Sequence, residues 1–164
     1  MRRIAIVILV VFGGAAFWFI TAPRIVAPGT LGAHAITVEN GKTIFAASGC
    51  AACHAIPGRE DRTKLGGGLA LKSPFGTFYA PNISSDVKDG IGGWSEAQFV
   101  TAMTKGTSPQ GTHYYPAFPY TSYRQLGVPD LRDLFAHIKT LPAIAGKIRD
   151  HDLPFPFNIR RLLG

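Results

Sequence analysis

The sequence predicts an all-α domain of three main helices joined by long loops, preceded by a single membrane-spanning helix. Three observations support this class. Residues 4–22 form an uncharged and almost wholly apolar run. Later segments place apolar side chains at helical spacing, and none shows the convincing alternation expected of a half-buried strand. The chain also holds 19 glycines and 12 prolines, well above average usage, so long loops are expected between the helices.

The N-terminal run has the length and flanking residues of an uncleaved membrane anchor. At 1.5 Å per residue it spans about 30 Å, which is the thickness of the bilayer hydrocarbon. Arg2 and Arg3 precede it, so the positive-inside rule places the N-terminus in the cytoplasm, and Trp18 lies near the far end, where interfacial aromatic residues concentrate. A cleavable signal peptide is the alternative, although its apolar region would be shorter and residues 20–23 offer no small-x-small site. Both interpretations export the rest of the chain.

The chain is predicted to divide into an anchor (residues 1–22), a linker (23–37), one domain (38–142) and a Pro/Phe-rich C-terminal tail (143–164). Its formal charge of +7 indicates a basic surface suited to an acidic docking partner or to anionic lipid headgroups. Basic residues do not form a run with interleaved aromatic residues, so the sequence does not indicate nucleic-acid binding.

Three helices and two loops are predicted inside the domain. Residues 38–47 form the first helix, which leads directly into the cysteine motif described below. Residues 95–106 form a short second helix that opens with a Ser-x-x-Gln capping box. Residues 130–141 form the third helix, with one continuous apolar face. The segments 57–80, which is rich in glycine, and 106–123, which is rich in proline and aromatic residues, are predicted to be loops.

Both cysteines of the chain lie in one pentapeptide, Cys50-Ala51-Ala52-Cys53-His54. Cys-x-x-Cys-His is the attachment signature of haem c, in which the two thiols form thioether bonds to the haem and the adjacent histidine ligates the iron. A thioredoxin-like motif would need a βαβ context, a zinc site would need two further ligands, and a disulfide closing so small a loop would stabilise little. We therefore predict one covalent haem c with His54 as the proximal iron ligand.

The order helix, Cys-x-x-Cys-His, loop, short helix, loop, helix resembles a class I cytochrome c, in which the small Gly41 would let the first helix cross closely over the last. Three segments narrow the resemblance: SPFGTFYAPNI at 73–83, GIGGWS at 90–95 and YPAFPYTSY at 115–123. They look like segments of the cytochrome c subunits of bacterial membrane-bound alcohol, aldehyde and gluconate dehydrogenases, and of related two-haem cytochromes. The resemblance implies an electron-transfer subunit on the periplasmic side of the cytoplasmic membrane, with no substrate chemistry of its own. Its implied partners are a dehydrogenase subunit as donor and a quinone-linked complex or another cytochrome as acceptor.

The sequence departs from this family at the second axial ligand of the iron. The family usually carries a methionine at one of two positions, which here hold Phe118 and Leu126. Met103 is the remaining methionine outside the anchor and is the predicted distal ligand, because the resembling fold turns that helix face towards the haem; core packing is its alternative role. His113 is the runner-up ligand. A five-coordinate iron is the third alternative and would favour a gas sensor or a weak peroxidase.

Further haem contacts are predicted for Tyr79, Asn82 and Trp94, and also for Tyr123, because each carries a polar group that needs a partner when buried. The segment LPFPFNIR at 153–160 resembles the linker that leads to a second haem domain in two-haem relatives. The chain is therefore either a true one-haem protein or a fragment of a two-haem cytochrome. A docking role within a larger respiratory complex is a further alternative.

Overall fold

A computed structural model describes residues 2–160 of the chain. Helix α1 spans Arg2–Ile20, and none of its residues is buried. Within the described residues it is the one helix long and apolar enough to cross a membrane. A signal sequence near the N-terminus can meet the same minimum of length and apolar composition, so the helix fits both of the predicted alternatives.

The domain that follows is mostly helical, and all three predicted helices are confirmed. Its elements are α2 (Val38–Ala47), α3 (Cys50–His54), β1 (Ala70–Ser73), β2 (Gly76–Tyr79), α4 (Glu96–Lys105), α5 (Tyr120–Tyr123) and α6 (Val128–Thr140). The capping box before α4 is formed as predicted: Ser95 Oγ accepts from Gln98 N at 3.2 Å, and Gln98 Oε1 accepts from Ser95 N at 2.8 Å. Helix α6 begins earlier than predicted because Pro129 lies in its first turn, where the backbone N–H that proline lacks would have no partner within the helix.

The prediction of an all-α domain is wrong for the glycine-rich segment 57–80, which contains an antiparallel hairpin. Ala70 pairs with Tyr79 and Ser73 with Gly76. The Ser73 hydroxyl closes the turn, since it donates to Gly76 O at 2.8 Å and accepts from Phe75 N at 3.2 Å. Each strand has only four residues, too few for a readable alternation. The second predicted loop, 106–123, also ends in a short helix, α5.

The tail adds to the hairpin from a distant part of the sequence. Thr77 and Asp152 exchange two backbone hydrogen bonds, with N···O distances of 2.8 and 2.9 Å. Tyr79 N donates to His151 Nδ1 at 3.1 Å, and the Asn82 side-chain amide donates to Ile144 O at 2.7 Å. The contacts at Thr77 and Tyr79 supply partners for backbone groups that a two-stranded hairpin leaves open at its edge, and the Asn82 contact holds the tail beside it.

Helices α2 and α6 cross at Gly41, as predicted. A Cβ atom built on Gly41 would overlap the backbone carbonyl of Asp133 in α6. The Asp133 carboxylate beside this crossing accepts from Thr37 N at 2.9 Å and from the Asn40 amide at 2.9 Å, and it contacts His34 Nε2 at 2.7 Å. The crossing therefore joins α2 and α6, and it also fastens the segment that leads from α1.

We expect Gly41→Ala to destabilise the domain by about 2 kcal/mol, although alanine normally stabilises a helix relative to glycine. The added methyl group meets backbone rather than a flexible side chain, so the two helices must separate and lose packing. Thermal unfolding of the detergent-solubilised holoprotein measures the effect. Gly29→Ala is the matched control, because a Cβ there meets nothing within 4 Å. Equal unfolding temperatures for the two variants would contradict the close crossing.

Candidate haem site

A cavity of about 520 Å³ lies between α3, the hairpin, α4, the loop around Tyr115 and the tail. Its volume is in the range of ordinary cofactor sites. Apolar side chains form much of its wall, among them Ile91, Phe99, Leu134 and Ile138, which also belong to the core cluster. The cavity is thus an opening in the hydrophobic core rather than a groove on its surface.

The cysteine motif forms one wall of this cavity. Gly49 precedes α3 in the left-handed conformation, with φ of 65°, which glycine adopts without steric cost. The turn brings Cys50, Cys53 and His54 to the same cavity. Neither cysteine is in a disulfide.

The Cys50 thiol is a buried group in the wall of the cavity. Burial raises the pKa of the Cys50 thiol to about 11. A backbone hydrogen bond acts in the opposite direction, and the nearby Cys53 raises the pKa slightly further. Reactive and metal-binding cysteines need a thiolate near neutral pH. No group of three His, Cys, Asp or Glu side chains that could hold a metal ion occurs in residues 2–160. A neutral buried thiol beside a large cavity fits covalent attachment of a prosthetic group.

His54 is oriented by a hydrogen bond from its own ring. Its Nδ1 donates to the carbonyl oxygen of Pro81 at 2.9 Å, which leaves Nε2 as the nitrogen for a metal. Metal-bound histidines commonly donate their other ring N–H to a carbonyl in this way. Burial lowers the pKa of His54, opposed by the bond to Pro81, so the imidazole is neutral as iron ligation requires.

The other predicted contact residues, Tyr79, Asn82, Trp94 and Tyr123, also line the cavity. Asn82 is buried, and its oxygen accepts from Ser84 N at 2.9 Å while its NH₂ group binds the tail. Tyr123 donates to Ser48 O at 3.2 Å, next to the cysteine motif. The polar groups of these two residues thus fix the loops around the cavity.

The candidate distal residues lie in three different places. Met103 on α4 is buried, with 6% of its surface exposed, and lines the cavity, as does Phe118. Leu126 lines a separate pocket with Val26, Leu31 and Val100. His113 does not line the cavity, and its Nε2 contacts Thr21 O at 2.8 Å, just after α1. Of the two side chains weighed as the distal ligand, Met103 lines the cavity and His113 does not.

Several cavity residues were missed from the sequence. Phe78, Tyr114 and Tyr115 were predicted only as parts of loops, and their aromatic character was the one available signal. Burial raises the pKa of Tyr114 to about 12, against the charge of Arg160. Arg149, His151 and Arg160 of the tail also line the cavity, and no local sequence pattern indicated this.

Comparison with known proteins agrees with the geometry of this site. The family model for cytochrome c matches residues 38–142. The chain belongs to the cytochrome c family. The resemblance noted in the sequence is thereby confirmed, and the Cys-x-x-Cys-His motif and its cavity fit the covalent haem c of that family.

Relatives of this cytochrome c include a "Diheme cytochrome c-type" protein of Cereibacter sphaeroides, 46% identical over 158 residues, which are 95% of this chain and 53% of that protein. The fructose dehydrogenase cytochrome subunit of Gluconobacter japonicus is 37% identical over 138 residues, 84% of this chain and 28% of that subunit. The gluconate 2-dehydrogenase cytochrome c subunit of Pantoea cypripedii is 34% identical over 124 residues, 75% of this chain and 27% of that subunit. The chain thus spans about half the length of the first relative and less of the others. Two of these relatives are named as cytochrome subunits of dehydrogenases.

Proposed function

We propose that this cytochrome c is a membrane-anchored, periplasmic carrier with one haem, which takes electrons from a dehydrogenase subunit and passes them to a quinone-linked complex or another cytochrome. The observation that carries the proposal is the wall formed by Cys50, Cys53 and a His54 ring held by Pro81. Relatives named as cytochrome subunits of fructose, gluconate and alcohol dehydrogenases support the choice of donor.

The residues of the cavity have separate roles in this function. Cys50 and Cys53 would hold the haem covalently and His54 would ligate its iron, and the Pro81 carbonyl keeps the His54 ring from turning. The haem, when bound, supplies an iron that gains and loses one electron. The buried apolar wall excludes water, which limits the solvent rearrangement that accompanies each change of charge. Met103 is the proposed distal ligand, and a thioether opposite histidine raises the reduction potential.

Contacts near the end of α1 support an anchor that stays attached. The His113 ring contacts Thr21 O at 2.8 Å, and Val26 N donates to the Thr101 hydroxyl of α4 at 2.9 Å. A retained α1 is therefore held close to the domain, because the segment that follows it contacts the domain at both Thr21 and Val26. The basic surface of the chain suits an acidic donor or the anionic lipid headgroups beside the anchor.

A second candidate function is that of one haem domain within a two-haem cytochrome. It is favoured by the identity of 46% with a diheme cytochrome c-type protein that the chain covers to 53%. Mass spectrometry of the natural protein separates the candidates. A second haem-bearing Cys-x-x-Cys-His peptide in the same polypeptide would favour the two-haem protein.

One experiment tests the anchor, the topology and the haem together. The chain is fused after Gly164 to a reporter that is active only in the periplasm, and denatured membrane and soluble fractions are stained for haem. We expect an active reporter and a haem-stained membrane band that retains the N-terminal peptide, because residues 20–23, at the end of the apolar run, offer no small-x-small site for its release. A fully soluble haem protein without residues 1–22 would contradict the anchor. An inactive reporter would contradict the periplasmic location.

A further inference from the structure

The positive charges of the haem cavity come from the tail. Among the residues that line it, two carry an ammonium or guanidinium group, namely Arg149 and Arg160. Both lie beyond residue 142, where the match to the cytochrome c family ends. Both are exposed, so the cavity has an apolar interior and a basic rim that is open to solvent.

The tail is held in place by groups other than these arginines. Gly146 N donates to Asp89 Oδ2 at 2.8 Å, the Asn82 amide donates to Ile144 O at 2.7 Å, and Asp152 is paired with Thr77. The backbone position of residues 144–152 of the tail therefore does not depend on either guanidinium. Substitution of an arginine can remove its charge while these contacts remain.

Both guanidinium groups rest on aromatic rings of the cavity wall. Arg149 Cζ lies 4.6 Å from the centre of the Tyr79 ring, and Arg160 Cζ lies 5.1 Å from that of Tyr115. Stacking on a ring leaves the N–H groups at the edge of the guanidinium available. Arg160 Nη1 makes one long contact, 3.5 Å, to His113 O. Within residues 2–160, neither arginine is paired with a carboxylate.

We propose that Arg149 and Arg160 bind the two propionate carboxylates of the haem, so that the tail closes the polar edge of the site. This rests on the proposed function, because it requires a haem attached at Cys50 and Cys53. A carboxylate is costly to bury without a partner, and the planar guanidinium is the side chain best matched to it. The propionate edge therefore faces the basic rim, and the apolar edge faces the core.

His151 supplies a third donor on the same rim. Its Nδ1 accepts from Tyr79 N, so the neutral ring carries its proton on Nε2. Burial lowers the pKa of His151, and the charge of Arg160 lowers it further, against the opposing effect of Asp150. Of the two lining carboxylates, Asp89 is engaged with the tail backbone and Asp150 partly offsets the positive rim.

The reduction potential of the haem tests the proposal. Reduction adds one negative charge to the haem, and a nearby cation favours it. We expect Arg149→Gln and Arg160→Gln each to lower the potential, so that the ratio of reduced to oxidised protein falls roughly threefold to tenfold at low salt. A tenfold change equals about 59 mV for a one-electron couple. Spectroelectrochemical titration of the full chain in detergent at pH 8 measures the reduction potential of each variant. Added salt should reduce the difference in potential between the variants and the wild type, because it screens the charges.

Lys147→Gln is the matched control, because Lys147 has the same charge and lies in the same tail but does not line the cavity. Arg149→Lys and Arg160→Lys keep the charge, should recover most of the potential, and guard against misfolding of the glutamine variants. If the glutamine variants carry covalent haem and titrate like Lys147→Gln, the tail does not bind the propionates and only this inference is wrong. If the wild-type chain carries no covalent haem, the proposed function itself is wrong and this inference with it.

Discussion

Replacement of both Cys50 and Cys53 by alanine is expected to abolish covalent haem attachment completely. Both thiols line one cavity and neither is engaged in a disulfide, so each is available for a thioether bond. No other cysteine exists in the chain to replace them. After denaturation, the double variant should therefore show no haem-stained band, whereas a single variant can keep at most one thioether bond.

The same substitution should also cost the domain its fold. Without the haem, a cavity of about 520 Å³ is left unfilled beside core residues such as Phe99 and Leu134, and the side chains of its wall lose the packing contacts that a filled site would give them. The wall must then collapse or admit water, and we expect thermal unfolding of the double variant to lose its cooperative transition.

Ala52→Ser is the control for this experiment. Ala52 lies between the two cysteines and is exposed, so serine there keeps the spacing and both thiols. It should stain for haem like the wild type. Covalent haem on the Cys50→Ala/Cys53→Ala chain would refute the central assignment of this site.

The sequence predicted those parts of the fold that depend on local patterns. Three features are recognisable from short stretches of sequence: the apolar face of α6, the capping box at Ser95 and the Cys-x-x-Cys-His motif. Helix periodicity, capping and haem attachment each depend on residues that are close together in the chain. The crossing at Gly41 was also predictable, since it required only a small residue in a recognised architecture. The cysteine motif among them locates the wall of the cavity that Cys50, Cys53 and His54 form.

The parts that were not predicted depend on contacts between distant residues. The hairpin gains hydrogen bonds from the tail through Thr77 and Asp152, and Asn82 reaches Ile144. No periodicity within a four-residue strand or in the Pro/Phe-rich tail indicates such pairs. The positions of Arg149 and Arg160 at the cavity were not predictable for the same reason. They depend on where the tail packs against the domain, and the residues of the tail alone do not indicate this.

Met103→Leu is the second substitution for which we expect a large effect, here on the ligation of the haem iron. Met103 is buried on α4 and lines the cavity, whereas His113 is engaged with Thr21 O and Leu126 lines a different pocket. Met103→Leu keeps the volume and hydrophobicity of the side chain, so the fold should survive. If Met103 binds the iron, the variant should lose the sulfur-to-iron band of the ferric protein, lower its reduction potential and allow carbon monoxide to bind the ferrous haem.

Two further variants make this result specific. Phe99→Leu alters another cavity residue of the same helix and should keep the sulfur band, because it changes packing without removing a ligand. His113→Ala should leave the iron spectrum unchanged and affect only the contact with Thr21. A wild-type spectrum for Met103→Leu, together with a high-spin His113→Ala, would transfer the distal role to His113.

The wild-type protein also discriminates between the functions that this fold can support. Electron transfer needs an iron that keeps both axial ligands through each redox change, and rapid carbon monoxide binding needs an open position. We expect the wild-type ferrous protein to bind carbon monoxide slowly or not at all, because Met103 as the proposed distal ligand would occupy the position that carbon monoxide needs. Rapid binding to the wild type would mean that the Met103 sulfur only packs the core, as methionine often does. The gas-sensor or peroxidase function would then replace electron transfer, while the attachment at Cys50, Cys53 and His54 would stand.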